Sequence, residues 1–159
     1  MHDKDKAFLA LRKSLCSYTS ISNDTWQAFM GICKFRSLTK HSFLYNIDSI
    51  PPSYSYIYHG LVRCFSCDEK GNEYNKMFFD EGKFPGSMTA LLTSSPSMLA
   101  FEAIEDSLII EINFTAYRKL MVQNDELKLF QIYYLEKSWL LAKDDTLVDR
   151  LPQYYIAFH

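Results

Sequence analysis

The stretch Tyr56–Ser87, YIYHGLVRCFSCDEKGNEYNKMFFDEGKFPGS, decides the fold. It reads as three short strands punctuated by Gly60, Gly71, Gly82 and Gly86, four of the chain's five glycines. Apolar residues that alternate between closely spaced turns are the signature of a small antiparallel β barrel or roll. Tyr54, Tyr56 and Tyr58 alternate with Ser55 and Ile57 just before the first turn, so one face of that strand carries three aromatic rings. After Gly60 the strands run Leu61 to Cys67 and Tyr74 to Phe79, with DEKGNE turning between them around Gly71.

Outward from this core, the period changes on both sides. Ala7, Phe8, Leu11 and Leu15 recur at helical spacing over residues 4–16. Ser22-Asn23-Asp24 supplies N-cap chemistry for a second helix through Trp26, Phe29 and Met30 that ends near Gly31. Residues 35–48 read as short strands and turns, and Pro51-Pro52-Ser53 as a loop. Beyond Gly86-Ser87, MTALL reads as a turn or two of helix and TSSPS as a loop. Two further strands are expected, Met98 to Ile104 and Leu108 to Ile112, and then a helix capped by Asn113 or Thr115 and interrupted at Asn124-Asp125.

The longest helix is predicted from about Glu126 to Lys143. Leu127, Phe130, Tyr134, Lys137 and Leu141 follow a 3-4-3-4 spacing, while Ile132, Leu135 and Trp139 cover another side. A helix apolar on two faces needs two partners. One is its own barrel. The other is expected to be the same helix of a second subunit, with the 3-4-3-4 set as a two-fold seam. Burial within a single monomer is the alternative. Asp144-Asp145 closes the helix, and Pro152 opens a further one over Gln153 to Phe158.

Composition limits the function. The 159 residues suit one domain with a short appendage, and 48% hydrophobic with 16% aromatic content supports a sizeable core rather than disorder. The formal charge of -2 comes with no basic stripe of the kind nucleic-acid binding needs. Apolar runs fall short of the roughly 18 residues of a membrane helix, and the charged N-terminus does not read as a signal peptide. A cytoplasmic chain with reduced thiols is expected. Cys64 and Cys67 form one CxxC, but inside a strand, where alternation sends the two side chains to opposite faces. No second CxxC completes a zinc site. His2, His41, His59 and His159 do not pair at the spacing a cupin-type metal enzyme needs, and no nucleophile elbow, phosphate loop or HExxH motif is present. No enzyme activity, metal or cofactor is expected.

The order of elements (two helices, a Gly-punctuated roll with a short helix inserted late, then a long helix) resembles the Crp/Fnr family of bacterial transcription regulators. The carriers are YIxxGxVRxF at Tyr56–Phe65, DExGxE at Asp68–Glu73, FxxGxFxG at Phe79–Gly86 and AIEDSLIIEI at Ala103–Ile112. From Tyr56 to Gly86 the spacing is similar to the catabolite activator branch without a gap. The resemblance implies a mainly β fold with flanking α: a double-stranded antiparallel β-roll of roughly eight strands, two N-terminal helices and a long C-terminal dimerisation helix. It divides the chain into a β-roll domain with N-terminal helices over 1–125, the dimerisation helix over 126–143, and a remnant over 144–159. In that remnant RLPQYYIAFH is similar to the entry of a helix-turn-helix, without the recognition helix that would read base edges. The implied partners are a second copy of the chain and a small-molecule effector, with DNA only where a longer product completes the helix-turn-helix, and no membrane.

In the family's cyclic-nucleotide binders, a Gly-Glu pair and, about ten residues later, an Arg followed by Ser or Thr hold the ligand. Helix-start amides attract the cyclic phosphate, the Arg neutralises it and the Glu takes the ribose hydroxyl. Here Gly86 is present, but Ser87 stands at the Glu position, Ser97 at the Arg position and Met98 at the next. No Lys or Arg occurs from Gly86 to Tyr117. The expected ligand-binding residues are Gly86, Ser87, Met88, Ser97 and Met98, in a pocket that has lost its carboxylate and cation and does not bind cAMP or cGMP tightly. Lys83 and Arg63 are the nearest basic residues and read as ordinary solvated roll positions. Leu91, Leu92 and the tyrosines either pack the pocket shut or line a slot for an apolar or neutral effector. A stand-alone roll module for ligand or protein binding is the competing function.

Overall fold

The computed structural model describes residues 1–143; the helix-turn-helix entry expected over 144–159 lies outside the described residues. Helix α1 (Asp3–Cys16) carries Asp3 and Asp5 in its first turn and Lys13 in its last, matching the helix dipole. Its inward stripe of Ala7, Leu11 and Leu15 is fully buried. Helix α2 (Asn23–Met30) is capped by Ser22, whose Oγ accepts from the Thr25 N–H at 3.3 Å, and it buries Trp26 and Phe29.

Among the described residues seven strands follow in chain order: β1 (Cys33–Leu38), β2 (Phe43–Tyr45), β3 (Ser53–His59), β4 (Val62–Cys67), β5 (Glu73–Phe79), β6 (Ala100–Ala103) and β7 (Ser107–Asn113). They form two antiparallel sheets, β1-β7-β3 and β2-β6-β4-β5. Helix α3 (Met88–Thr93) sits between β5 and β6, and α4 (Phe114–Gln123) and α5 (Asp125–Lys143) complete the described chain. This is the β-roll with flanking helices expected from the glycine-punctuated stretch.

Alternation along β3 divides the core in two. Ile57 points between the sheets with Leu38, Val62, Phe101 and Ile109. Tyr54 and Tyr56 point the other way, into the helical layer. That layer is knit by ring contacts. Trp26 stacks on Phe29 at 5.9 Å, Phe29 meets Tyr117 at 6.1 Å, and Tyr117 meets Tyr54 at 5.6 Å. The series continues from Tyr54 to Phe84 (6.3 Å), Phe84 to Tyr134 (5.7 Å), Tyr134 to Phe130 (6.0 Å) and Phe130 to Tyr18 (5.3 Å).

An eighth strand is present only in rudiment. Ser55 N–H donates to the Pro85 carbonyl at 2.9 Å and Ile57 N–H to the Lys83 carbonyl at 3.0 Å, so residues 83–85 run along the free edge of β3. Pro85 has no N–H to return, and regular pairing stops there. The turn glycine of the opening stretch is sterically required at Gly60. Its φ is +113°, and a Cβ there would stand 2.0 Å from Ser107 Oγ. The strand expected from Met98 to Ile104 is shorter, Ala100–Ala103, because residues 97–99 are held by local hydrogen bonds described below.

Asn113 caps α4 with its side chain, accepting from Ala116 N–H at 2.9 Å. Helix α5 requires a correction. Leu127 and Phe130, expected in a seam between subunits, are buried in the chain's own helical core. Tyr134 also faces inward, against Phe84 and Tyr18, and Lys137 Nζ lies 5.2 Å from the Tyr18 ring centre. Leu141 stays exposed. The two apolar faces are real, but the one that meets the roll is the one expected in the seam, and Leu129, Ile132, Leu135 and Trp139, the last 70% exposed, form the outward face.

Candidate functional site

The expected ligand residues surround α3. Gly86 lies against β3, and a Cβ at this position would stand 2.7 Å from Tyr54 Cβ. Ser87 occupies the N-cap position of α3 and is buried, but its side chain makes no capping bond. Ala90 and Leu91 anchor the helix to the core, leaving Met88 and Leu92 exposed. At the other end Ser94 adopts a left-handed conformation (φ 51°) and the Ser95 N–H returns to the Ala90 carbonyl at 3.1 Å.

Ser97 is committed to the fold. It is 1% exposed, and its Oγ donates to the Leu99 carbonyl at 2.8 Å while accepting from the Leu99 N–H at 3.1 Å. Its backbone is tied to the 46–49 turn: Ser97 N–H donates to the Ser49 carbonyl and Asp48 N–H to the Ser97 carbonyl, both at 2.8 Å. Met98 is 83% exposed. The structure therefore brings Gly86, Ser87 and Met88 together on one turn, buries Ser97 in a local hydrogen-bonded loop, and puts Met98 in solvent.

Both basic residues nearest in the sequence have carboxylate partners. Lys83 Nζ pairs with Asp80 at 3.0 Å. Arg63 binds Glu102 at 2.7 Å and Glu73 at 2.8 Å, and its guanidinium lies 4.0 Å from the centre of the Phe65 ring. Glu102 also faces His41 Nδ1 at 3.3 Å. Burial alone would raise the Glu102 carboxyl, but hydrogen bonds from Arg63 and His41 outweigh it and hold it below the usual range. Arg63 is thus a structural ion-pair residue on the outside of the roll, more constrained than the solvated position the sequence suggests.

Sequence reasoning missed a polar cluster inside the roll. Tyr45 OH is 2.8 Å from Ser55 Oγ and 3.1 Å from Ser53 Oγ, all three buried. Arg36 and Glu111 form an ion pair across β1 and β7. Burial pushes the Tyr45 hydroxyl up to about 12, partly opposed by the two serines. The available signal was the same period of two that grouped the tyrosines: serines at 53 and 55 must face the roll interior if Tyr54 and Tyr56 face the helices. Among the described residues no group of His, Cys, Asp or Glu is arranged to hold a metal ion, and Cys64 is buried while Cys67 is exposed. No helix among them is long and apolar enough to cross a membrane.

No protein-family model matches the sequence, and no curated protein matches it. Solved structures do. The catabolite activator protein of Thermus thermophilus superposes with a TM-score of 0.65 at 16% identity, over 87% of this chain and 63% of that one. The sensor domain of the transcriptional regulator DNR from Pseudomonas aeruginosa gives 0.67 at 15% identity, over 82% and 91%. The regulatory domain of Toxoplasma gondii PKA, solved with cAMP, gives 0.65 at 11% identity, over 84% and 50%. The fold is that of the sensor domains of Crp/Fnr regulators and of cyclic-nucleotide-binding domains. The chain spans less than two thirds of the Thermus protein and nearly all of the DNR sensor domain.

Proposed function

We propose that this chain is the effector-sensing and dimerisation portion of a Crp/Fnr-like transcription regulator of the cytoplasm, with a pocket that does not hold a cyclic nucleotide tightly. The observation that carries the reading is the state of Ser97. Where the resemblance calls for an Arg, a small hydroxyl is buried and satisfied by Leu99. Lys83 and Arg63, the nearest basic residues in the sequence, have carboxylate partners of their own. A buried phosphate without a cation costs several kcal/mol.

Isothermal calorimetry with cAMP and with cGMP tests this. No binding tighter than about 100 μM, roughly 5.5 kcal/mol, is expected. Tighter binding would establish a cyclic-nucleotide site of non-standard composition instead.

Dimerisation is proposed through the outward face of α5. Leu129, Ile132, Leu135 and Trp139 leave an apolar stripe open, and Tyr74, Met77 and Phe78 are exposed on β5. DNA reading belongs to a product with a complete helix-turn-helix. A monomer that is stable and binds a small molecule or protein by itself would favour the stand-alone module.

A further inference from the structure

A cleft of about 600 Å³ opens between α1, α2 and β1, within the range of small-molecule sites. It lies on the α1 face that does not enter the core. Ala7, Leu11 and Leu15 point inward, while Lys4, Asp5, Phe8, Leu9 and Arg12 line the cleft. Its floor is aromatic: Phe8 and Trp26 meet edge to face at 6.4 Å, with Phe35 of β1 beside them. Leu9, 60% exposed, leaves an apolar side chain at its rim.

The charge of the lining is one-sided. Beside the single lining carboxylate, Asp5, stand Lys4 and Arg12, and neither of these two cations has a carboxylate partner among the described residues. Lys34 adjoins the cleft through its backbone on β1 and lies opposite Glu111 in the sheet register. Cys33 contributes no negative charge. Burial pushes its thiol up to about 12, and it donates to the Phe29 carbonyl. Arg12 is pre-positioned: its Nη2 donates to Asn23 Oδ1 at 2.6 Å, and its guanidinium lies 5.7 Å from the Trp26 ring centre. A guanidinium carries five N–H donors, and its fork suits a carboxylate. Lys4 and Arg12 are two turns apart, roughly 12 Å along the helix, with Phe8 midway.

We propose that this cleft is a second ligand site, separate from the α3 turn, for an apolar monocarboxylate whose chain lies over Phe8 and Leu9 and whose head is held by Arg12. The apolar floor selects the body, and the unpaired cations select the charge.

The chain has two tryptophans, Trp26 and Trp139, so 5-fluorotryptophan labelling gives two ¹⁹F resonances, assigned with Trp139→Phe. Titration with dodecanoate is expected to shift the Trp26 resonance saturably and leave Trp139 in place. Dodecanol and dodecyltrimethylammonium should bind at least roughly tenfold more weakly, as should dodecanoate to Arg12→Gln. Leu9→Asp should also lose binding, and thermal melts of both exposed-site variants should show that they fold. Three results would overturn the proposal: no saturable shift below about 1 mM, dodecanol binding as tightly as dodecanoate, or a shift unchanged in Arg12→Gln.

Discussion

The carboxylate of Glu126 accepts two hydrogen bonds from Ser22, one from the backbone N–H at 3.0 Å and one from the hydroxyl at 3.1 Å. It thereby fastens the first turn of α5 to the cap of α2. Asn124 reinforces the junction, donating to Thr25 Oγ1 at 2.8 Å and accepting from Leu127 N–H at 3.0 Å. Hydrogen bonds from Thr25 and Ser22 hold the Glu126 carboxyl below its usual range. Glu126→Ala should cost about 1–2 kcal/mol, the scale of a lost cap with a charged acceptor. Urea midpoints should fall with unchanged slope.

Ser107 fills the space that a side chain at position 60 would need. Gly60→Ala should destabilise by about 3 kcal/mol, combining overpacking with a left-handed backbone. Adding Ser107→Gly removes the Oγ and Cβ that the new methyl meets. The double variant should therefore recover part of the loss and retain the backbone component. Thermal unfolding of the three variants measures the split.

The Arg63–Glu102 pair sets an acid limit. Because the Glu102 carboxyl is held low in the folded chain, its contribution is complete above the unfolded Glu value of about 4.3 and is lost as pH falls through the lower folded value. Glu102→Gln should cost about 1–3 kcal/mol at neutral pH. It should also flatten the fall in stability below about pH 4.3. Equal acid slopes for the two proteins would remove Glu102 from the account.

The two faces of α5 should separate under mutation. Leu127→Ala, at a fully buried site, should cost about 2–5 kcal/mol. Ile132→Asp or Trp139→Asp, on the outward face, should leave the circular dichroism and melt of the isolated subunit intact. If the dimer forms there, light scattering should show these variants as monomers at concentrations where the parent is dimeric.

Much of the fold was legible because each periodicity had one reading. The spacing of Ala7, Leu11 and Leu15 allows only a helix, and Tyr54, Tyr56 and Tyr58 between Ser55 and Ile57 allow only a strand. The α5 error arose where periodicity is silent. It reveals that Leu127 and Ile132 lie on different faces, but not which face meets the roll. That choice depends on Tyr18 and Phe84, distant in sequence, which supply the rings that Phe130 and Tyr134 pack against. At the candidate site, the residue identities at 87 and 97 were legible. The engagement of Arg63 by Glu73 and Glu102 was not, since it joins three strands.

The ring series through the helical layer has an optical consequence. Trp26 is the only indole in a continuous row of tyrosines and phenylalanines that reaches α5 and returns to the end of α1. Tyrosine excitation passes to an indole through space, and the phenylalanines between Tyr134 and Trp26 act as packing rather than relays. Undocking α5 parts Tyr134 from Phe84 and carries it away from Trp26. In a Trp139→Phe background, where Trp26 is the single indole, undocking of α5 should therefore raise tyrosine emission relative to tryptophan emission.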